Sequence, residues 1–215
     1  MVSQRRVGAK TSKSRDGLLD AVESLMLSDG YASITYRAVA AKAGVTSGLV
    51  QYYFPTLDDV FLAAIRRRSD QNLEHLAALL EARPQEPLRV LWDYSQDEST
   101  AALTVEFLAL GNHRKSIRSE IAQVSEAVRE LQLSALADRP PSGDPTFDGL
   151  TPGALLFLIT GIPKLVRLER GVGMKTAHRD ILDFFEHHLD NEMPPSAAPA
   201  APPRTRRPAT QKRSR

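Results

Sequence analysis

Apolar side chains recur at helical spacing along most of this chain. Leu18, Leu19, Val22, Leu25 and Met26 form a first stripe, with Ser14 available as N-cap, Asp16 in the first turn and Gly30 placed to stop the helix. Thr35 is suited to cap a short second helix with the apolar face Tyr36, Val39, Ala40 and Ala43, and Gly44 can end it in a left-handed conformation. A third helix opens at Thr46 and runs through SGLVQYYF, where Val50 and Phe54 share a face, until Pro55. Two short helices joined by a glycine-containing turn and packed on a longer preceding helix make a helix-turn-helix, although a generic helical hairpin has the same spacing.

The residue types favour the first of these. The outer face of the third helix carries Thr46, Ser47, Gly48, Gln51, Tyr52 and Tyr53. Hydroxyls, an amide and phenols bond phosphates and base edges, and a glycine lets backbone approach a groove. On an ordinary solvated face the same residues would carry no function.

The segment TYRAVAAKAGVTSGLVQYYF, residues 35 to 54, resembles the DNA-binding signature of the TetR family of bacterial regulators. The resemblance rests on Thr35 as cap, Arg37 facing DNA, the packed pair Val39 and Ala40, and Ala43-Gly44-Val45 leading into the recognition helix. It implies a DNA contact set of Thr35, Arg37, Thr46, Ser47, Gly48, Gln51, Tyr52 and Tyr53. The sequence departs from the family pattern at Gln51, which stands for a common Tyr, at Tyr53 for His, and at Leu57 for a phosphate-contacting Lys. The five basic residues among the first fifteen are expected to supply the missing charge as an arm, so that deleting residues 1 to 13 flattens the salt dependence of binding.

Beyond Thr56, which with Asp59 starts a fourth helix, the pattern stays helical and the resemblance lies in length and pattern alone. The basic cluster Arg66 to Arg68 reads as a solvated face. Pro84 and Pro87 interrupt the chain, Gly111-Asn112 is placed to end a further helix, residues 118 to 137 are amphipathic, and residues 138 to 149 read as a loop. The stretch from Thr151 to Gly171 is apolar nearly all round, which demands burial on more than one side. The family resemblance implies that a second copy covers one side, and Leu156, Gly161, Leu182 and Phe185 are the candidates for that dimer interface. A ligand pocket is expected among Trp92, Tyr94, Phe107, Leu110, Asn112, His113 and Phe157, each of which could equally be core or a helix cap.

The expected fold is therefore all-α, with about nine helices. A basic flexible arm (1–14) leads into a three-helix helix-turn-helix domain (15–56), followed by a larger helical ligand-binding and dimerisation domain (57–193) and a disordered, basic Pro/Ala tail (194–215). Charge sharpens this division. Both ends are basic and free of acids, and removing their 11 basic residues from 28 leaves 17 against 26 acids, so the body between them sums to −9. Basic ends attract polyphosphate and an acidic body repels it unless geometry turns a basic face outward.

The remaining chemistry is mostly exclusion. Without cysteine there is no disulfide, thiolate zinc site or thiol redox sensor. The histidines make no metal-ligand pattern, and no nucleophile elbow, phosphate loop or dinucleotide fingerprint occurs, so no catalytic residue, metal or cofactor is expected. No apolar run approaches the roughly 20 residues of a membrane span, and a cytoplasmic, nucleoid-associated protein is expected. The expected partners are operator DNA, a second copy of the chain, and an apolar or amphipathic small-molecule effector, with repression the family's usual mode. A helical adaptor without operator specificity and a helical enzyme remain the rival classes.

Overall fold

The computed structural model describes residues 3–137, 145–147 and 149–191. The tail expected over 194–215 and most of the loop expected over 138–149 lie outside them. The described residues form nine α-helices: α1 (Ser3–Asp29), α2 (Tyr36–Ala43), α3 (Ser47–Tyr53), α4 (Leu57–Ala82), α5 (Pro87–Gln96), α6 (Glu98–His113), α7 (Lys115–Ala137), α8 (Pro152–Gly171) and α9 (His178–Asn191). Short 3-10 turns occupy Tyr31–Ser33 and Pro145–Phe147.

Local chemistry accounts for most helix ends. Thr35 Oγ1 accepts from the Ala38 N–H at 3.1 Å, and Gly44 closes α2 at φ 68°, in the left-handed region where a Cβ is penalised. Thr56 and Asp59 bond reciprocally at the start of α4, giving the capping box that their spacing predicts. Pro87 and Pro152 occupy the first turns of α5 and α8, where a missing N–H costs nothing.

Two boundaries differ from expectation. The first helix starts at Ser3 rather than near Arg15, so residues placed in an arm ahead of it form its first turns. Arg5, Arg6, Lys10 and Lys13 in this segment are residues that extend a helix readily. The second difference is at Gly111, where α6 does not stop but continues to His113. A Cβ on Gly111 would lie 2.9 Å from Ile121 Cδ1, so this glycine lets α6 and α7 approach closely instead of ending a helix.

Two hydrophobic cores organise the molecule. The upper one joins Leu18, Leu19, Val22 and Met26 of α1 to Val39, Ala40, Val50, Phe54, Phe61 and Ile65, and continues without a break into Leu103, Phe107 and Leu110 of α6 and Ile117 and Ile121 of α7. The lower one gathers Leu76, Leu88, Leu91, Trp92, Leu136, Leu155, Leu156, Ile159, Phe185 and Leu189. Thus the head formed by α1 to α3 and the top of the body share one packed interior, which transmits displacement because packed cores resist deformation.

Candidate nucleic-acid interface and ligand cavity

The apolar positions of α2 and α3 turn inward, which leaves their polar positions outside. Val39, Ala40, Val50 and Phe54 are buried, whereas Thr35, Arg37, Thr46, Gly48 and Gln51 are exposed. Tyr52 is 76% exposed, an unusual position for a large aromatic side chain unless it meets a partner. Ser47 and Tyr53 are half-buried, and Tyr53 packs edge-on to Tyr52 at 5.3 Å while leaning on Phe54. The Tyr36 hydroxyl donates to the carbonyls of Phe54 (3.1 Å) and Pro55 (2.9 Å), tying the start of α2 to the end of α3. Leu57 packs partly buried on this core, so the position supplies apolar contact rather than charge.

Polar contacts bind the head to the body. Glu106 on α6 accepts the Tyr31 N–H at 2.8 Å, and the His113 ring stacks over Tyr31 at 5.9 Å. Arg114 pairs with Asp58 at 2.7 Å. The Ser116 hydroxyl and the Arg114 guanidinium hold the Asp58 carboxyl below its ordinary range against the opposing effect of burial. Of the cluster expected as a solvated face, Arg66 is exposed as expected, whereas Arg67 is largely covered, and both are paired. Arg66 grips Glu120 on α7 through two nitrogens (2.7 and 2.8 Å), and Arg67 reaches Asp20 (2.8 Å), Glu23 (2.7 Å) and the Asp16 carbonyl (3.0 Å) on α1.

A cavity of about 170 Å³ lies between the two cores. Its walls include Ile65, Arg68 and Ser69 of α4, Tyr94 and Ser95 of α5, Phe107 of α6, Gln132 of α7 and Thr160 of α8. Ser69, Ser95, Gln132 and Thr160 are four of the five buried polar side chains among the described residues, the fifth being His178. Two of them are satisfied within the body, Ser95 Oγ donating to the Trp92 and Ile159 carbonyls (2.8 and 3.1 Å) and Thr160 Oγ1 to the Leu156 carbonyl (2.9 Å), so the wall is polar yet held by internal hydrogen bonds. Burial raises the Tyr94 hydroxyl to about 12, which keeps it a neutral donor.

Of the residues expected to line a pocket, Tyr94 and Phe107 do so. The others are elsewhere. Trp92 is fully buried in the lower core, where it stacks on Phe185 at 5.0 Å and donates to Glu186 at 2.7 Å. Leu110 is buried in the upper core, Asn112 and His113 are exposed at the end of α6, and Phe157 is 61% exposed beneath the Arg129 guanidinium. Gln132 and Lys164 were not singled out by sequence, and Arg68 was read with its two neighbours as a solvated face, because a basic or amide side chain on an amphipathic helix carries no mark of the cavity it lines.

The dimer candidates divide similarly. Leu156 and Phe185 are buried inside the subunit, whereas Gly161 and Leu182 are half-buried near its surface. The exposed apolar side chains of α8 and α9 are Phe157, Leu158, Leu165, Leu168 and Phe184. A helix apolar all round puts alternate parts of its circumference inward, and only packing against α5 and α7 selects which.

The head, the shared core and the hollow body define a helix-turn-helix protein with a helical second unit. Residues 18–64 match the family model for bacterial regulatory proteins of the tetR family. The HTH-type transcriptional repressor BepR of Brucella suis is 26% identical over 127 residues, 59% of this chain and 58% of that protein, so less than two thirds of the relative is spanned. A member of the TetR family from Streptomyces coelicolor superposes with a TM-score of 0.54 at 27% identity, covering 80% of this chain and 96% of that one. The multidrug binding protein EbrR complexed with ethidium gives a TM-score of 0.54 at 25% identity, covering 81% and 96%. Residues 18–64 thus match the tetR family of bacterial regulatory proteins, and the chain as a whole is similar in fold to a member of that family. Among the described residues no helix is long and apolar enough to cross a membrane.

Proposed function

We propose that this protein is a ligand-responsive transcriptional repressor that binds a near-palindromic operator as a homodimer and is released by a small molecule. The observation that carries the reading is the exposed face of Thr35, Arg37, Thr46, Gly48, Gln51 and Tyr52 on two short helices whose apolar sides are fully committed to the core. Arg37 supplies charge for phosphate, and Gln51 and Tyr52 supply groups able to reach base edges or backbone. Ser47 and Tyr53 complete the contact set from its margin.

The apolar strip of Phe157, Leu158, Leu165, Leu168 and Phe184 is the surface that a second copy covers. Two copies place their recognition helices one DNA turn, roughly 34 to 36 Å, apart. The name of BepR as a repressor supports the sign of regulation, and the ethidium complex of EbrR supports a small molecule in the body. Helix α6 touches both sites: Phe107 lines the cavity while Glu106 and His113 hold Tyr31 of the head. A ligand that fits one disposition of α6 better than the other shifts the spacing of the heads by its differential affinity.

The test is a gel-shift titration on DNA flanking the protein's own gene. Specific, salt-sensitive binding is expected, weakened about ten-fold or more by Arg37→Ala and by Tyr52→Ala. Equal affinity for all sequences would instead indicate an architectural protein.

A further inference from the structure

The charge of the cavity wall is one-sided. Arg68, Arg129 and Lys164 line it, and no aspartate or glutamate is among its lining residues. Asp97 acts on the Tyr94 hydroxyl from nearby but is not part of the wall. This distribution runs against that of the body, which is acidic overall. Arg129 stacks its guanidinium over the exposed ring of Phe157 at 4.6 Å, which puts it at the cavity's outer edge. Lys164 is half-buried on α8, one helical turn beyond the buried Thr160. Burial and the neighbouring Arg129 charge both push the Lys164 ammonium below its ordinary proton affinity. Two cations that repel each other in the lining of one hollow are stabilised together by an anion bound beside both. The rest of the wall is uncharged, with Phe107, Ile121, Val124 and Val128 beside the hydroxyls of Ser69, Ser125 and Thr160 and the amides of Asn72 and Gln132.

We propose that the cavity is selective for a small amphipathic carboxylate, its acid group held by Lys164 and Arg129 and its apolar body lying against Phe107, Ile121 and Val124. The inference rests on the reading of the body as a ligand-binding domain and specifies the class of ligand. The size of the hollow suits one aromatic ring or a short acyl chain, since a cavity of roughly 150 Å³ accommodates benzene. Cationic and neutral molecules of the same shape are disfavoured, the former by repulsion from Lys164 and Arg129 and the latter by leaving the repulsion between those two unrelieved.

Hydrocinnamate, phenylpropylamine and hydrocinnamyl alcohol share one apolar body and differ in charge, so thermal-shift and calorimetric titration of the full-length protein with the three isolates the charge preference. Only hydrocinnamate, and octanoate in a parallel series with octylamine and octanol, is expected to raise the melting temperature at millimolar concentration. Lys164→Met is expected to weaken carboxylate binding about ten-fold or more, and Arg129→Met, chosen in case the first variant does not fold, to do likewise. Equal or tighter binding of the amine or the alcohol, no binding of either carboxylate, or undiminished carboxylate binding by the folded variants overturns the proposal. The regulator reading fails separately: carboxylates that bind yet leave operator affinity unchanged would retain the ligand class and remove the switch.

Discussion

Tyr36 shows how one side chain can fix the geometry of a recognition element. Its ring belongs to the apolar face of α2, and its hydroxyl spans to two carbonyls where α3 ends. Tyr36→Phe removes the donor while keeping the packing, and should lower stability in urea titration by about 1 kcal/mol. Gly44 is a second such position. At φ 68° a β-carbon is strained whatever the space around it, so Gly44→Ala is expected to cost about 1 kcal/mol or more by the same measurement. Both roles could be anticipated in part from sequence. The cap at Thr35 and the glycine stop at Gly44 depend on neighbours within four residues, which is why they were legible. The two acceptors of the Tyr36 hydroxyl are eighteen and nineteen residues away and were not.

Between elements, side-chain pairs do what backbone caps do within them. The Arg67 guanidinium joins α4 to α1 through Glu23, which is itself only 14% exposed. Arg67→Ala leaves that carboxylate short of its partner and should destabilise the head by roughly 1–3 kcal/mol in chemical denaturation. At the other end, Glu186 anchors α9 to α5. Burial pushes its carboxyl up, but the Trp92 and Gln96 hydrogen bonds and the Arg89 charge outweigh this and leave its proton affinity below the ordinary glutamate value of 4.5. A depressed folded-state pKa contributes stability above the unfolded value that is lost as pH falls through the folded one. The melting temperature of wild type should therefore exceed that of Glu186→Gln at neutral pH, and the gap should close below about pH 4.5. These pairs escape sequence reading because Arg67 stands in a run of three arginines that local pattern cannot tell apart. Tertiary packing gives the three separate partners and settings: α7 for Arg66, α1 for Arg67 and the cavity for Arg68.

At the scale of the whole molecule, the two cores meet at the hollow that separates them, and α6 and α7 belong to its walls and to the head's interior at once. Filling the hollow therefore acts on the same packed helices that position α2 and α3. The outer strip of α8 and α9 is the proposed dimer surface. Leu165→Glu, on a side chain 54% exposed in the single chain, should leave the fold intact, shift the mass seen by light scattering from two chains to one, and weaken operator binding together with it. A variant that stays dimeric would move the interface elsewhere on the molecule.

Local sequence determined the all-α architecture, the capped helices from Thr35 to Phe54 and the outward face of the recognition helix, because helix periodicity and caps act over three or four residues. It also carried the family resemblance, since that signature occupies one contiguous segment. Only the tertiary structure decided which face of α8 is inside, that Trp92 and Leu156 are core, and that Lys164 and Arg129 line the same hollow. Each of those outcomes depends on helices far apart in the chain arriving at the same place, and an amphipathic stripe specifies that a face is buried without specifying against what. The exposed face proposed to meet DNA was thus readable residue by residue, while the cavity that would control it became visible only once α4 to α8 had packed around it.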